Sequence, residues 1–97
     1  GIQAADIKEG DQILQNDPYV APRDGVLVVG VTPGGAAEGI LEPGDIILQM
    51  GGSDVFTLDQ LRTKLYTYSS GQTVEIVVDR FGEQLTLQLR LGTARAS

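Results

Sequence analysis

The sequence predicts a mainly β domain of five to six strands with two helices, one short and one long. Three observations carry that reading. Residues 25–52, GVLVVGVTPGGAAEGILEPGDIILQMGG, set two apolar strands between glycine- and proline-rich turns. Thr57-Leu58-Asp59-Gln60 has the pattern of a capping box and opens a helix. Residues 73–91 alternate polar with apolar on either side of Arg80-Phe81-Gly82-Glu83, as a half-buried hairpin requires.

Taken in order, residues 1–7 (GIQAADI) form a short strand. Residues 8–24 are polar and rich in turn signals: Gly10-Asp11, Asn16-Asp17-Pro18 and Pro22-Arg23-Asp24-Gly25. They read as a long surface loop with a short strand candidate at 12–15, and a loop this long in a compact domain is usually functional or mobile. A strand follows over 26–31, then a Pro33-Gly34-Gly35 turn and one helical turn over 36–40. The turn Glu42-Pro43-Gly44-Asp45 feeds a strand over 46–50. Gly34, Gly35 and Gly44 stand where turns need positive φ, Gly39 ends the short helix, and Asp45 is placed to bond the amides of its own turn.

Thr57 caps the long helix, expected over 58–68, and Gln60 is placed to reach back to the Thr57 amide. Leu58, Leu61, Leu65 and Tyr68 give it one apolar face. Ser69-Ser70-Gly71 stops it, with Gly71 suited to a left-handed C-terminal cap. In the hairpin, Val74, Ile76 and Val78 point the same way as Leu85, Leu87, Leu89 and Leu91. One domain over 1–92 is expected, with 93–97 a disordered tail. The segment Gly10-Asp11-Gln12-Ile13-Leu14-Gln15 echoes Gly44-Asp45-Ile46-Ile47-Leu48-Gln49, two uses of a Gly-Asp turn that launches a strand.

Composition excludes more than it suggests. The 97 residues hold no cysteine and no histidine, so disulfides, thiolate or imidazole metal sites and Ser-His-Asp or Cys-His catalysis are all ruled out. Seven basic against 13 acidic residues give a net charge of −6, with no basic stripe for nucleic acid or anionic lipid. No apolar run approaches the ~20 residues that span a bilayer. The acidic pairs Glu42 with Asp45 and Asp6 with Glu9 fall on turns and exposed segments, where nothing sets two carboxylates to unequal pKa values. No calcium-loop pattern occurs. No cofactor and no catalysis by this chain alone are expected.

The order of elements, carried by GVLVVGVTPGGAAEGILEPGDIILQMGG, TLDQLRTKLYTYSSGQTVEIVVDR and LTLQLRLG, resembles a PDZ domain. The likeness is greatest to the HtrA group, in which that domain is attached to a trypsin-like serine protease. The resemblance implies a partly open β-barrel or sandwich capped by the two helices. It implies recognition of C-terminal or extended hydrophobic peptide segments by addition of a strand to an exposed edge.

By the same resemblance, Gly1 and Ile2 are the last two positions of a loop whose amides catch the peptide carboxylate, and the chain begins inside that loop. Gln3, Ala4 and Ala5 belong to the edge strand that pairs with the ligand, expected over 3–7. Asp6, with Lys8 and Glu9, protects that edge. Gln60, Leu61, Lys64, Leu65 and Tyr68, with Thr67, line the groove from the helix; Lys64 is open to two readings, an aid to the anionic terminus or, the stronger one, a solvated surface lysine. Ile2, Ala4, Leu61 and Leu65 make a small apolar pocket for a hydrophobic last residue.

The implied partners are peptide or protein C-termini, unfolded proteins and an attached protease domain. No nucleic acid is expected, an oligomer arises only through the full-length protein, and the setting is extracytoplasmic. The alternative is the corresponding domain of an intramembrane metalloprotease or another protease. It would act by docking of the groove edge on its own protease domain or on a neighbouring subunit, a role open also to the 8–24 loop with Tyr19-Val20.

Overall fold

The computed structural model describes residues 2–13, 18–33, 39–69 and 71–91, with only the backbone at Ile2. Six strands and one helix are described: β1 (Ile2–Ile7), β2 (Gly25–Val31), β3 (Ile46–Met50), β4 (Ser53–Asp54), α1 (Leu58–Leu65), β5 (Thr73–Arg80) and β6 (Glu83–Arg90). The strands make one antiparallel, open sheet in the order β1-β2-β3-β5-β6, with the two-residue β4 paired to β3 off that path. The mainly β reading with a long helix holds. The short helix expected over 36–40 falls largely on residues 34–38, outside the described residues, as do Gly34, Gly35 and the 93–97 tail.

The hairpin follows from its sequence directly. β5 and β6 pair from Thr73↔Arg90 to Arg80↔Glu83, leaving Phe81-Gly82 as a two-residue turn. Both have positive φ, 49° and 97°, the geometry of a type I′ turn whose twist matches that of the strands it joins. The partners Val74 and Leu89, Ile76 and Leu87, and Val78 and Leu85 face one core, as alternation requires.

The sheet is covered on both faces, and this differs from a half-buried hairpin. One core gathers Val26, Val28, Ile47, Met50, Val74, Ile76 and Val78 beneath Leu61 of α1. On the other face Ile46, Leu48 and Val77 meet Ile7, Ile13 and Ala21, with Tyr19 and Leu27 packed against them. The unbroken runs Val26 to Val28, Ile46 to Leu48 and Ile76 to Val78 are the signature of strands buried from two sides.

The second cover is the segment that reads as a surface loop. Ile13 and Ala21 are each 2% exposed, so the described parts of this segment, residues 8–13 and 18–24, pack on the sheet as a layer. Two side chains pin it. Tyr19 donates its hydroxyl hydrogen to Asp79 Oδ2 at 2.9 Å, and burial followed by that bond and the Asp79 charge raises the phenol above its ordinary pKa. Arg23 donates to the carbonyls of Leu48 (3.2 Å) and Val55 (3.1 Å) and stacks 4.4 Å over the Phe56 ring. Of the strand candidate at 12–15, Gln12 makes an isolated bridge with Val20, while residues 14 and 15 lie outside the described residues.

The echo between residues 10–15 and 44–49 is a shared turn. Gly10 and Gly44 take φ of 86° and 99°. Asp11 N–H donates to the Lys8 carbonyl and Asp45 N–H to the Glu42 carbonyl, at 2.9 and 3.1 Å. Each Asp then accepts from the amide three residues back, Lys8 at 2.9 Å and Glu42 at 3.0 Å. The difference lies in burial. Asp45 is 0% exposed and receives a fork of two 2.8 Å bonds from Arg80, whose guanidinium is thereby held more firmly protonated. Arg80 also donates to the Ile40 carbonyl at 3.0 Å, so the buried charge is paired and the 40–45 segment is tied to β5.

Candidate functional site

β1 ends the strand order, so its outer edge pairs with no described strand. Its inner edge runs against β2 from Ile2↔Val31 to Ile7↔Gly25, with a register shift between Gln3 and Ala4 that leaves Val29 of β2 as the extra residue. α1 packs beside β1 and β2. A free edge with a helix alongside is the geometry into which an extended segment adds as a strand.

The helix has the expected start and an earlier stop. Thr57 Oγ1 accepts from the Gln60 amide at 3.2 Å, and Gln60 Oε1 accepts from the Phe56 amide at 2.8 Å, one residue before the Thr57 amide expected. The helix ends at Leu65 and not at Tyr68, because the amides of Thr67 and Tyr68 turn to the carbonyls of Lys64 and Leu65, three residues back. Gly71 has a left-handed φ of 80° but follows that turn instead of capping the helix, and its amide donates to Leu91 O at 2.9 Å.

The residues expected at the groove divide in two. Ala4, Leu61 and Leu65 come together: Leu61 is in the helix-side core, with Ala4 and Leu65 packed on it. Gln3 and Ala5 are exposed on the same strand, Gln3 with its side chain over Gly30, where a Cβ would crowd it. Gly1 and the side chain of Ile2 lie outside the described residues.

Gln60 and Lys64 differ from expectation. With Asp59 and Thr63 they line a hollow shared with Ser53 and Asp54 of β4. Tyr68 points to that side as well, its hydroxyl standing over Gly51 at the turn between β3 and β4. The polar flank of an amphipathic helix offers two sides to a neighbouring strand, and spacing alone does not choose between them. Asp6 of β1 accepts from the Leu58 amide, Leu58 and Leu65 pack on the helix-side core, and helical spacing puts Arg62 on the same flank, away from β4.

Two further residues, Asp6 and Leu58, stand between β1 and the start of α1, and Leu58 also packs on the helix-side core. Asp6, read as edge protection, reaches from β1 to α1: its Oδ1 accepts from the Leu58 amide at 2.6 Å, at the helix N-terminus where an anion is favoured. The available signal was its place two residues after Ala4, on the same face of the strand. Among the described residues, no cluster of three or more Asp or Glu side chains is placed to hold a metal ion.

Residues 16–91 match the family model of the PDZ domain. The chain belongs to the PDZ domain family. This PDZ domain is 36% identical over 69 residues to "Putative serine protease HhoB" of Synechocystis, a match covering 70% of the chain and 17% of that protein. It is 33% identical over 66 residues to leucine-rich repeat-containing protein 7 of Rattus norvegicus, covering 68% of the chain and 4% of that protein. Among solved structures it is similar to "HtrA-type protease AlgW with decapeptide", with a TM-score of 0.68 and 30% identity over 75% of this chain and 23% of that one.

The chain thus spans a small part of each relative. PDZ domains are non-catalytic, peptide-binding modules, and in HtrA-type proteins they are attached to a protease domain. The match to the family model begins at residue 16, so β1 lies outside it. The position of that strand beside α1 comes from the fold.

Proposed function

We propose that this PDZ domain is the substrate-recognition or regulatory domain of an HtrA-type serine protease. It takes C-terminal or extended hydrophobic peptide segments as an added strand along β1, between that strand and α1. The observation that carries this reading is the β1 edge, unpaired among the described strands, beside a helix whose Leu61 and Leu65 share one core with Ala4. The likeness to HhoB and to the HtrA-type protease AlgW supports the attachment to a protease, and the decapeptide named with AlgW supports peptide as ligand. The reading extends to an extracytoplasmic setting and a part in protein quality control, both taken from the resemblance to the HtrA group.

Ala4 leaves room for a ligand side chain, and the neighbouring leucines supply an apolar wall that favours a hydrophobic anchor residue. Backbone pairing along the edge supplies affinity that depends little on the rest of the ligand sequence. The test is a titration of one apolar-ended peptide in three forms: free carboxylate, C-terminal amide, and with its anchor residue replaced by Asp. Tighter binding of the carboxylate form, with the Asp form weakest, supports capture of C-termini. Equal binding of carboxylate and amide moves the reading to internal extended segments. Equal binding of all three overturns it.

A further inference from the structure

Among the described residues, Asp6 is the one charged side chain that crosses from the free edge to the helix. Its Oδ1 is bonded to the Leu58 amide, while no described residue donates to its Oδ2 and no described cation forms an ion pair with it. The residue is exposed. The charged groups around it leave it without a counter-ion. Lys8, two residues on, pairs with Asp24 at 3.8 Å. Asp59 belongs to the opposite flank of α1, beside β4. Arg62 stands one turn further along the near flank from Leu58.

Alternation then places the carboxylate relative to a bound strand. Ala4 packs on the helix-side core and Asp6 bonds the helix, so both face the groove, while Ile7 is buried on the opposite face of the sheet. A ligand added along β1 has its own alternating side chains, and the groove-facing one beside Asp6 is two residues from the one beside Ala4. That ligand residue meets a carboxylate whose second oxygen is open to a donor.

We propose that Asp6 is a specificity-determining residue of the groove, selecting a cationic side chain on the bound strand at the position beside it. The inference rests on the strand-addition reading above and deepens it. The anchor residue sets the apolar end of the ligand, and Asp6 sets a charge preference upstream of it. An exposed ion pair of this kind amounts to an affinity ratio of about two- to fivefold between Lys and Glu at that position.

The test uses the 97-residue chain and a set of apolar-ended peptides carrying Lys or Glu in turn at the third, fourth and fifth residues from the C-terminus. The expected result is a Lys preference at the third or fifth position and none at the fourth. It shrinks as salt is raised from 20 to 500 mM and disappears in Asp6→Asn, whose amide oxygen keeps an acceptor for Leu58. A preference that is equal at all three positions, or unchanged in Asp6→Asn, overturns the assignment. Because the salt series needs only the wild-type chain, a salt-insensitive Lys to Glu ratio overturns it even if the variant does not fold. Failure of the unsubstituted peptide to bind overturns the groove reading and this inference with it, whereas binding without discrimination overturns this inference alone.

Discussion

The two faces of the sheet are covered by opposite means. On one face the described parts of the 8–24 segment pack on the sheet, with Ile13 and Ala21 buried, and are fastened by Tyr19 to Asp79 and by Arg23 to the carbonyls of Leu48 and Val55. On the other the one described helix, with Leu41, covers the core on which Ala4 also packs, and it meets β1 through the bond from the Leu58 amide to Asp6. The first cover closes its face, while the second leaves a strand edge open beside it. A domain that binds by strand addition needs both: one face that holds the sheet rigid and one that leaves an edge to pair.

This contrast is sharpest where each cover is cut. Ile13→Ala removes a buried side chain from the loop face and is expected to lower stability by about 2–5 kcal/mol in urea unfolding. A change below about 0.5 kcal/mol would return residues 8–24 to the status of a surface loop. Thr57→Ala removes the helix cap and is expected to cost about 1 kcal/mol, less than the loop-face cut, because Gln60 still holds the Phe56 amide. If the order of these two losses were reversed, the loop face would not be the firmer support.

The smallest expected effect is a pH dependence confined to the loop face. Tyr19 has its folded pKa raised, so the folded chain keeps the phenolic proton after the unfolded chain has lost it near its ordinary value of 10.0. Its contribution is complete below that value and is lost as pH rises through the folded pKa, so stability falls with pH in the alkaline range. Tyr19→Phe removes this part of the slope, measured as unfolding midpoints between pH 9 and 11. An identical slope in the variant contradicts the Tyr19–Asp79 bond.

What the residues alone revealed follows the same division. The hairpin, the helix start and both Gly-Asp turns were legible because each rests on local chemistry: alternation, a capping box, and an aspartate that bonds the amide three residues back. The loop layer was not, because Ile13, Tyr19 and Ala21 are scattered among turn residues and carry no period. The side of α1 that meets β1 was not legible either. Gln60 and Lys64 satisfied the helical spacing, yet they face β4, while Leu58 and Arg62 satisfied it equally on the other flank. The role of Asp6 depends on a partner 52 residues away, which no local pattern encodes.

The most direct test of the open-edge account is an amide-shift map of the ¹⁵N-labelled chain titrated with an apolar-ended peptide. The account predicts shifts along β1, from Gln3 to Ile7, and along α1, from Leu58 to Leu65, with β6 and residues 8–24 silent. Shifts centred on β6 or on the 8–24 layer, with β1 unmoved, would contradict it.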